Sequence, residues 1–385
     1  MTMLNRRNFV LSSILAGGAT LALPHKALAQ AATSKRLLFV LQRGAADGLA
    51  TLAPVADPQF DALRGAFAED YDGVGLIDGL FALHPSYEKI GALFQQKQAL
   101  FIQAVASSYR ERSHFEGQNV IESGGAKAYS VRDGWLNRLL GLLPANDVRA
   151  LALSPSIPLA MQGPQSVSSY APTSLPGADE DLMARVGRIY ESDPELGALF
   201  AEAQKTRAMA GDTQMRNLRD AEKVGGLAAS LMSGADGASV MMIESNGWDS
   251  HAGQRGQFSR QARQLDALLA AYQQGMTNEW KDTLVIVATE FGRTVKLNGT
   301  NGSDHGTGSA ALLLGGTVAG GKVIADWPGL RQSDLFEGRD LNPTASLESV
   351  LAGAVSGHFG LDPELAMRTL FPERTSPAAE GLIRL

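Results

Sequence analysis

Five short apolar runs constrain this chain more than any other feature: RLLFVLQ (36–42), ALFIQAV (99–105), ASVMMIE (238–244), TLVIVAT (283–289) and AALLLGG (310–316). Each is strand-length, rich in β-branched or large aliphatic residues and nearly continuous in apolar character. An alternating pattern would leave one face wet, whereas a continuous one marks strands covered on both faces. VRALALS (148–154) is a weaker sixth candidate. Helical periodicity lies between the runs, at 86–98, 114–124, 134–143 and 258–276. The alternation predicts an α/β fold, a mostly parallel mixed sheet with helices on both faces.

Two stretches break the rhythm. Residues 178–236 are polar and rich in Met, Ala and Gln, which predicts a mainly helical insert or lid, and 155–177 reads as a Pro- and Ser-rich loop. The connection from Glu290 to the run at 310–316 has no helical pattern. A parallel crossover normally needs a helix and an antiparallel neighbour does not, so one late antiparallel strand is expected.

The first 29 residues stand apart. Arg6 and Arg7 precede a modest apolar stretch that ends at Ala27-Leu28-Ala29. This pattern predicts a twin-arginine signal peptide, export to the periplasm or beyond, and the twin-arginine export machinery as a partner. Residues 30–385 then form a single domain. The apolar stretch is short for a membrane span and no second span follows, so no stable span is expected after cleavage. Loss of Arg6, Arg7 and Lys26, with no acid beside them, takes the formal net charge from −6 to about −9, which argues against nucleic acid as a partner. No cysteine is present, so disulfides and thiolate metal sites are excluded.

The residues just beyond each strand run point to chemistry. The first run leads into RGAADGL with Asp47, the second into RERSHFE with Ser113 and His114, the third into GWDSHAGQ with Asp249 and His251, and the fourth into EFGRT with Glu290 and Arg293. In open α/β sheets ligands bind beyond the carboxyl ends of the strands. If the last strand runs backwards, Asp304 and His305 join the same edge. Asp47, Asp249, His251, Glu290, Asp304 and His305 form an oxygen-and-imidazole set suited to zinc or manganese, with one or two ions expected. Each residue also has a structural alternative: Asp47 as a turn residue, Glu290 as an ion-pair partner of Arg293, Asp304 as a turn cap. Ser113 opens a capping box, SHFE, yet a helix N-terminus also suits a nucleophile. His114 fits a ligand, an acid/base or a packed side chain. His84 and His358 read as structural.

The motifs RGAADGL, LHPSYEKIGAL, RSHFEGQNVIESG, GWDSHAGQ, TEFGRT, DHGTG and GRDLNPTASLESVL together resemble the exported proteins grouped as domain of unknown function 1501. That family is similar to the alkaline phosphatase and sulfatase superfamily. The resemblance implies an alkaline-phosphatase-like domain and an exported metal-dependent hydrolase of a phosphate or sulfate ester or related anionic substrate, either small or a polymer end. It maps Asp47 to the early ligand, Ser113 to the nucleophile, Asp249 and His251 to paired ligands, and His305 to the late histidine. Arg43, Arg112 and Arg293 would neutralise substrate charge. Two features depart from the superfamily pattern: Asp249 and His251 are closer together than its paired ligands, and Thr289-Glu290-Phe291 lacks a histidine. The alternative from another class is a non-catalytic envelope binding or assembly protein with a degenerate metal site.

Overall fold

The computed structural model describes residues 34–144, 148–173, 180–190, 193–211, 215 and 217–384. The N-terminal segment expected to be a signal peptide lies outside them. The strands, in chain order, are β1 Arg36–Gln42, β2 Leu52–Ala53, β3 Ala82–Leu83, β4 Ala99–Ala106, β5 Ala150–Ala152, β6 Ser168–Ser169, β7 Val240–Ser245, β8 Thr283–Thr289, β9 Ser309–Leu314, β10 Lys322–Ile324 and β11 Ala345–Ser346. All five strong apolar runs and the weaker sixth are strands. Nine of them form one sheet in the order β10-β4-β9-β8-β1-β7-β5-β6, with β11 also pairing with β4. β9 is antiparallel to both β4 and β8, while the other pairs are parallel. β2 and β3 make a small antiparallel ribbon. The sheet is thus mostly parallel and mixed, and the expected late reversal is β9.

The continuous apolar character of β1 has a direct cause. Every residue from Arg36 to Gln42 is buried. Leu38 and Val40 enter the core on one face, and Leu37, Phe39 and Leu41 enter a second core on the other. The first face is covered by α3 (Glu88–Gln95), α8 (Ala221–Met232) and the long α9 (Gln254–Gly275), through Ile90, Leu93, Leu227, Leu231, Leu265 and Leu269. The second is covered by α5 (Trp135–Leu140), α10 (Leu347–Phe359) and α11 (Pro363–Leu370). The remaining helices are α1 (Gly48–Thr51), α2 (Phe60–Arg64), α4 (His114–Ser123), α6 (Glu180–Tyr190) and α7 (Pro194–Ala210). Among its described residues the 178–236 stretch holds three helices, of which α8 is part of the core because Val224, Leu227 and Leu231 seat it on α9 and the sheet. Among the described residues no helix is long and apolar enough to cross a membrane.

Two histidines are absorbed by this packing. Burial pushes His84 down to about 4 and His358 down to about 3. Unfolded, both titrate near about 6.5. The unfolded chain therefore takes up protons first. The contribution is complete above about pH 6.5 and is lost as pH falls toward about 4 for His84 and about 3 for His358, at roughly 1.4 kcal/mol per pH unit for each group. Urea unfolding of metal-free protein at pH 7, 6 and 5 measures this slope. A His358→Asn variant should flatten it by about one proton; an unaltered slope would mean that His358 is not held neutral in the fold.

Candidate metal centre

The carboxyl ends of β1, β4, β7 and β8 and the segment entering β9 lie at one edge of the sheet, and their side chains meet there. His114, the first residue of α4, Asp249 after β7, and His305 before β9 offer ligand atoms all within 4.8 Å of one another. His251 completes the group, its Nε2 lying 3.1 Å from Asp249 Oδ1 and 3.0 Å from His305 Nε2. His305 Nε2 is 3.4 Å from Asp249 Oδ1, and His114 Nε2 is 3.5 Å from Asp249 Oδ2.

The other ring nitrogen of each histidine is fixed. His305 Nδ1 lies 2.9 Å from the carbonyl oxygen of Arg112, which only accepts, so the ring donates there. His114 Nδ1 meets Glu290 Oε1 at 2.9 Å, and His251 Nδ1 meets Asp304 Oδ1 at 3.1 Å. Glu290 is fully buried. Burial alone would raise its carboxyl, but hydrogen bonds from His114, Gly44 and Gln118 hold it below the usual range. The His251 hydrogen bond lowers Asp304 in the same way. Both carboxylates are therefore ionised acceptors, and the three rings, each held at Nδ1, turn Nε2 toward the common point. This is the second-sphere arrangement that orients metal-ligating imidazoles.

Ring nitrogens and a carboxylate this close together share a cation, either a proton or a metal ion. Burial lowers His305, which disfavours a proton there. His114 Nε2 is buried with no hydrogen-bond partner. That orphaned atom and the convergent Nε2 set fit a divalent ion held by His114, His251, His305 and Asp249. Asp249 and His251 are 44% and 47% exposed, so the group opens to solvent on one side. On the other side Phe291 stacks on His114, with ring centres 5.1 Å apart, and lies 5.3 Å from His305.

Arg293 assembles the edge. It is buried, and its guanidinium donates to the carbonyls of Gly44, Ala45, Trp248 and Ser303 and to Asp249. One side chain thereby ties the turn after β1, the loop after β7 and the segment before β9. Burial would raise the Asp249 carboxyl, but Arg293 outweighs it and keeps Asp249 ionised. Gly44 permits the close approach: its φ is +111°, and a Cβ there would lie 2.6 Å from the Asp249 nitrogen.

The other expected site residues lie elsewhere around the group. Asp47 caps α1 through Leu49 N and Ala50 N and pairs with buried Arg64 and Gln254, so its carboxylate is occupied away from the cluster. Glu290 and Asp304 hold histidine Nδ1 atoms rather than joining the convergent Nε2 set. Glu290 has no contact with Arg293 among its hydrogen-bond partners. Arg43 is engaged by Gln118, Glu122 and Glu244, and Arg112 by Glu337 and Asp340. Ser113 is at the N-cap of α4 but makes no capping bond. Tyr109 takes over that end instead: its hydroxyl accepts from Ser113 N at 3.1 Å and donates to Glu116 at 2.8 Å.

Sequence reasoning left His114 open between a ligand, an acid/base and a packed side chain, and did not anticipate Asp340. Asp340 is fully buried and accepts from Arg112 Nε at 2.8 Å and Arg339 Nε at 2.9 Å. Arg112, at φ +60°, gives its carbonyl to His305 Nδ1, and Arg339 Nη2 donates to the His305 carbonyl at 2.7 Å. Asp340 thus braces both ends of His305, and its motif, GRDLNP, was visible only as part of the family resemblance. Asp340→Asn should weaken zinc binding by about tenfold, the range expected for outer-shell support, as measured by competition with a chromogenic chelator. Unaltered affinity would assign Asp340 to folding alone.

Residues 34–369 match the model of the family described as "Protein of unknown function (DUF1501)". No curated protein matches. Among solved structures, the alkaline phosphatase from the Antarctic bacterium TAB5 is similar at 11% identity and a TM-score of 0.38, over 73% of this chain and 90% of its own. Lipoteichoic acid synthase LtaP from Listeria monocytogenes is similar at 9% identity and 0.39, over 87% and 74%. The phosphonate monoester hydrolase of Agrobacterium radiobacter is similar at 12% identity and 0.31, over 86% and 78%.

Proposed function

This chain belongs to the DUF1501 family, and we propose that it is an exported metal-dependent hydrolase of phosphate or sulfate esters, or of related anionic substrates. One observation carries the metal dependence: three imidazoles, each pinned at Nδ1, turn Nε2 toward Asp249. A divalent ion held by His114, His251, His305 and Asp249, zinc or manganese by the chemistry of that donor set, would supply Lewis-acid polarisation of an ester oxygen and activation of an attacking hydroxyl or water.

The chain's own residues do the rest. Glu290, Asp304 and the Arg112 carbonyl hold the three rings at Nδ1 and keep each Nε2 turned toward Asp249. Arg293 holds Asp249 ionised and in place. Phe291 keeps water from the inner side of His114. Ser113 stands beside His114 at the positive end of a ten-residue helix, and with no capping bond its hydroxyl supports a nucleophilic role. The ester class rests on the resemblance of the DUF1501 family to the phosphatase and sulfatase superfamily. Export rests on the N-terminal segment.

The test is turnover of a panel of phosphate and sulfate monoesters by the zinc- and manganese-loaded protein. Activity abolished by a chelator and restored by metal is the expected result. A metal-loaded protein inert toward every ester would favour the alternative, a non-catalytic envelope binding or assembly protein.

A further inference from the structure

A second cavity, of about 590 Å³, opens beside the metal centre. It lies where β5 and β7 end, at the edge of the sheet that carries the cluster, and β7 pairs directly with β1. The loop from Ser245 to Asp249 joins the two, since Ser245 and Asn246 line the cavity and Asp249 enters the cluster.

Helix α9 provides a measured path between them. Gln257, Gln261 and Gln264 follow i, i+4, i+7 spacing and share one face. Gln257 Nε2 donates to the carbonyls of Gly247 and Asp249, both at 3.0 Å. Gln261 and Gln264 continue the stripe into the cavity. At 1.5 Å per residue they sit about 6 Å and about 10 Å along the axis from the point where α9 touches the Asp249 loop. Gly247, at φ +92°, makes room: a Cβ there would be 2.7 Å from Gln261 Nε2.

The lining has a defined chemistry. Leu153, Ile243 and Leu268 form an apolar wall. The lining also includes the side-chain amides of Asn246, Gln261 and Gln264 and the guanidinium of Arg219. Among the described residues none of these four groups has a hydrogen-bond or ion-pair partner in the protein. Glu244, the acid in the lining, is already paired with Arg43. Amides donate and accept at once, and so do hydroxyls. A ligand with an apolar C–H face and hydroxyl groups uses both kinds of lining; a fatty chain would leave the amides unused.

We propose that this cavity holds the alcohol half of the substrate, and that this half is an uncharged polyhydroxylated ring of the glycosyl type, placed about 6–10 Å from the Asp249 loop. The proposal rests on the hydrolase reading for the word substrate, but the binding site does not depend on turnover. Binding of a remote, non-reacting group also raises the rate at the reacting centre, so esters lacking it should be turned over more slowly.

The test pairs a binding measurement with a specificity measurement, on the full mature chain and on a Gln261→Ala/Gln264→Ala variant. Alanine in these helical positions is well tolerated. Titration calorimetry with neutral, unesterified mono- and disaccharides should show binding by the wild type with and without zinc, weakened at least about tenfold in the variant. The ratio of kcat/KM for sugar phosphates or sulfates to that for 4-nitrophenyl esters should fall by a similar factor, with zinc content retained. Saccharide binding without hydrolysis of any ester would keep the subsite and remove the hydrolase reading. Hydrolysis of 4-nitrophenyl esters with no saccharide binding, and no change of ratio in the variant, would overturn the subsite and leave the hydrolase intact.

Discussion

Incubated with zinc and freed of excess, the wild-type chain should retain about one ion, and His305→Ala should bind it at least about a hundredfold more weakly. The expectation comes from how the site is held. Loss of an outer-shell partner costs about ten- to a hundredfold in metal affinity, and loss of the ligand itself costs more. His305 contacts both His251 and Asp249, so its removal opens the group from the middle. His114→Ala should act in the same direction, with a distinct signature. Its Nδ1 partner, Glu290, would be left buried without its imidazole, so stability should fall together with metal affinity. Elemental analysis with unfolding curves separates the two. Binding is also linked to pH, because the Glu290 hydrogen bond, opposed by burial, raises His114 and makes a proton compete with the ion. Zinc affinity should therefore weaken below neutral pH. Retention of a full zinc complement by both alanine variants would place the ion elsewhere or nowhere.

Removal of Arg293 should be the most damaging single change to the fold around the site, costing about 3–5 kcal/mol in metal-free protein. Its five donor contacts go to four carbonyls and one carboxylate, and water does not readily replace a buried guanidinium. Arg293→Ala leaves Asp249 without its closest counter-charge. Arg293→Lys should not rescue it, because a single ammonium cannot reproduce a planar fork directed at three loops. Urea unfolding reads the effect directly, and zinc affinity should fall with it because Asp249 and the His305 segment lose their common anchor. A loss below about 1 kcal/mol would mean that the loops hold one another without Arg293.

The strands, their burial on both faces and the reversal of β9 were legible because each is a local consequence of composition and spacing. RLLFVLQ has no polar face to expose, and the segment between Glu290 and Ser309 has no helix to carry a parallel crossover. The site was legible as a neighbourhood, since four strand ends delivering charged or nucleophilic groups to one edge follows from strand direction alone. Roles within it were not. Asp47 and Asp249 look alike in sequence, each close to a glycine after a buried strand. Asp47 meets Arg64 and Gln254, whose approach no local pattern announces, while Asp249 meets three imidazoles. His114 and Ser113 are adjacent, and the capping-box pattern hid that the Ser113 N–H donates to the hydroxyl of Tyr109, four residues upstream, in place of Glu116.

The sequence by itself therefore determined the layered α/β architecture, the edge at which chemistry gathers and the absence of thiol ligands, because periodicity, strand direction and residue type act over a few residues at a time. Tertiary structure alone decided which carboxylates hold histidines and which face the common point. Hydrogen-bond partners such as Glu290 and His114, 176 positions apart, are selected by packing in three dimensions, where a shift of one bond length exchanges a ligand for its support.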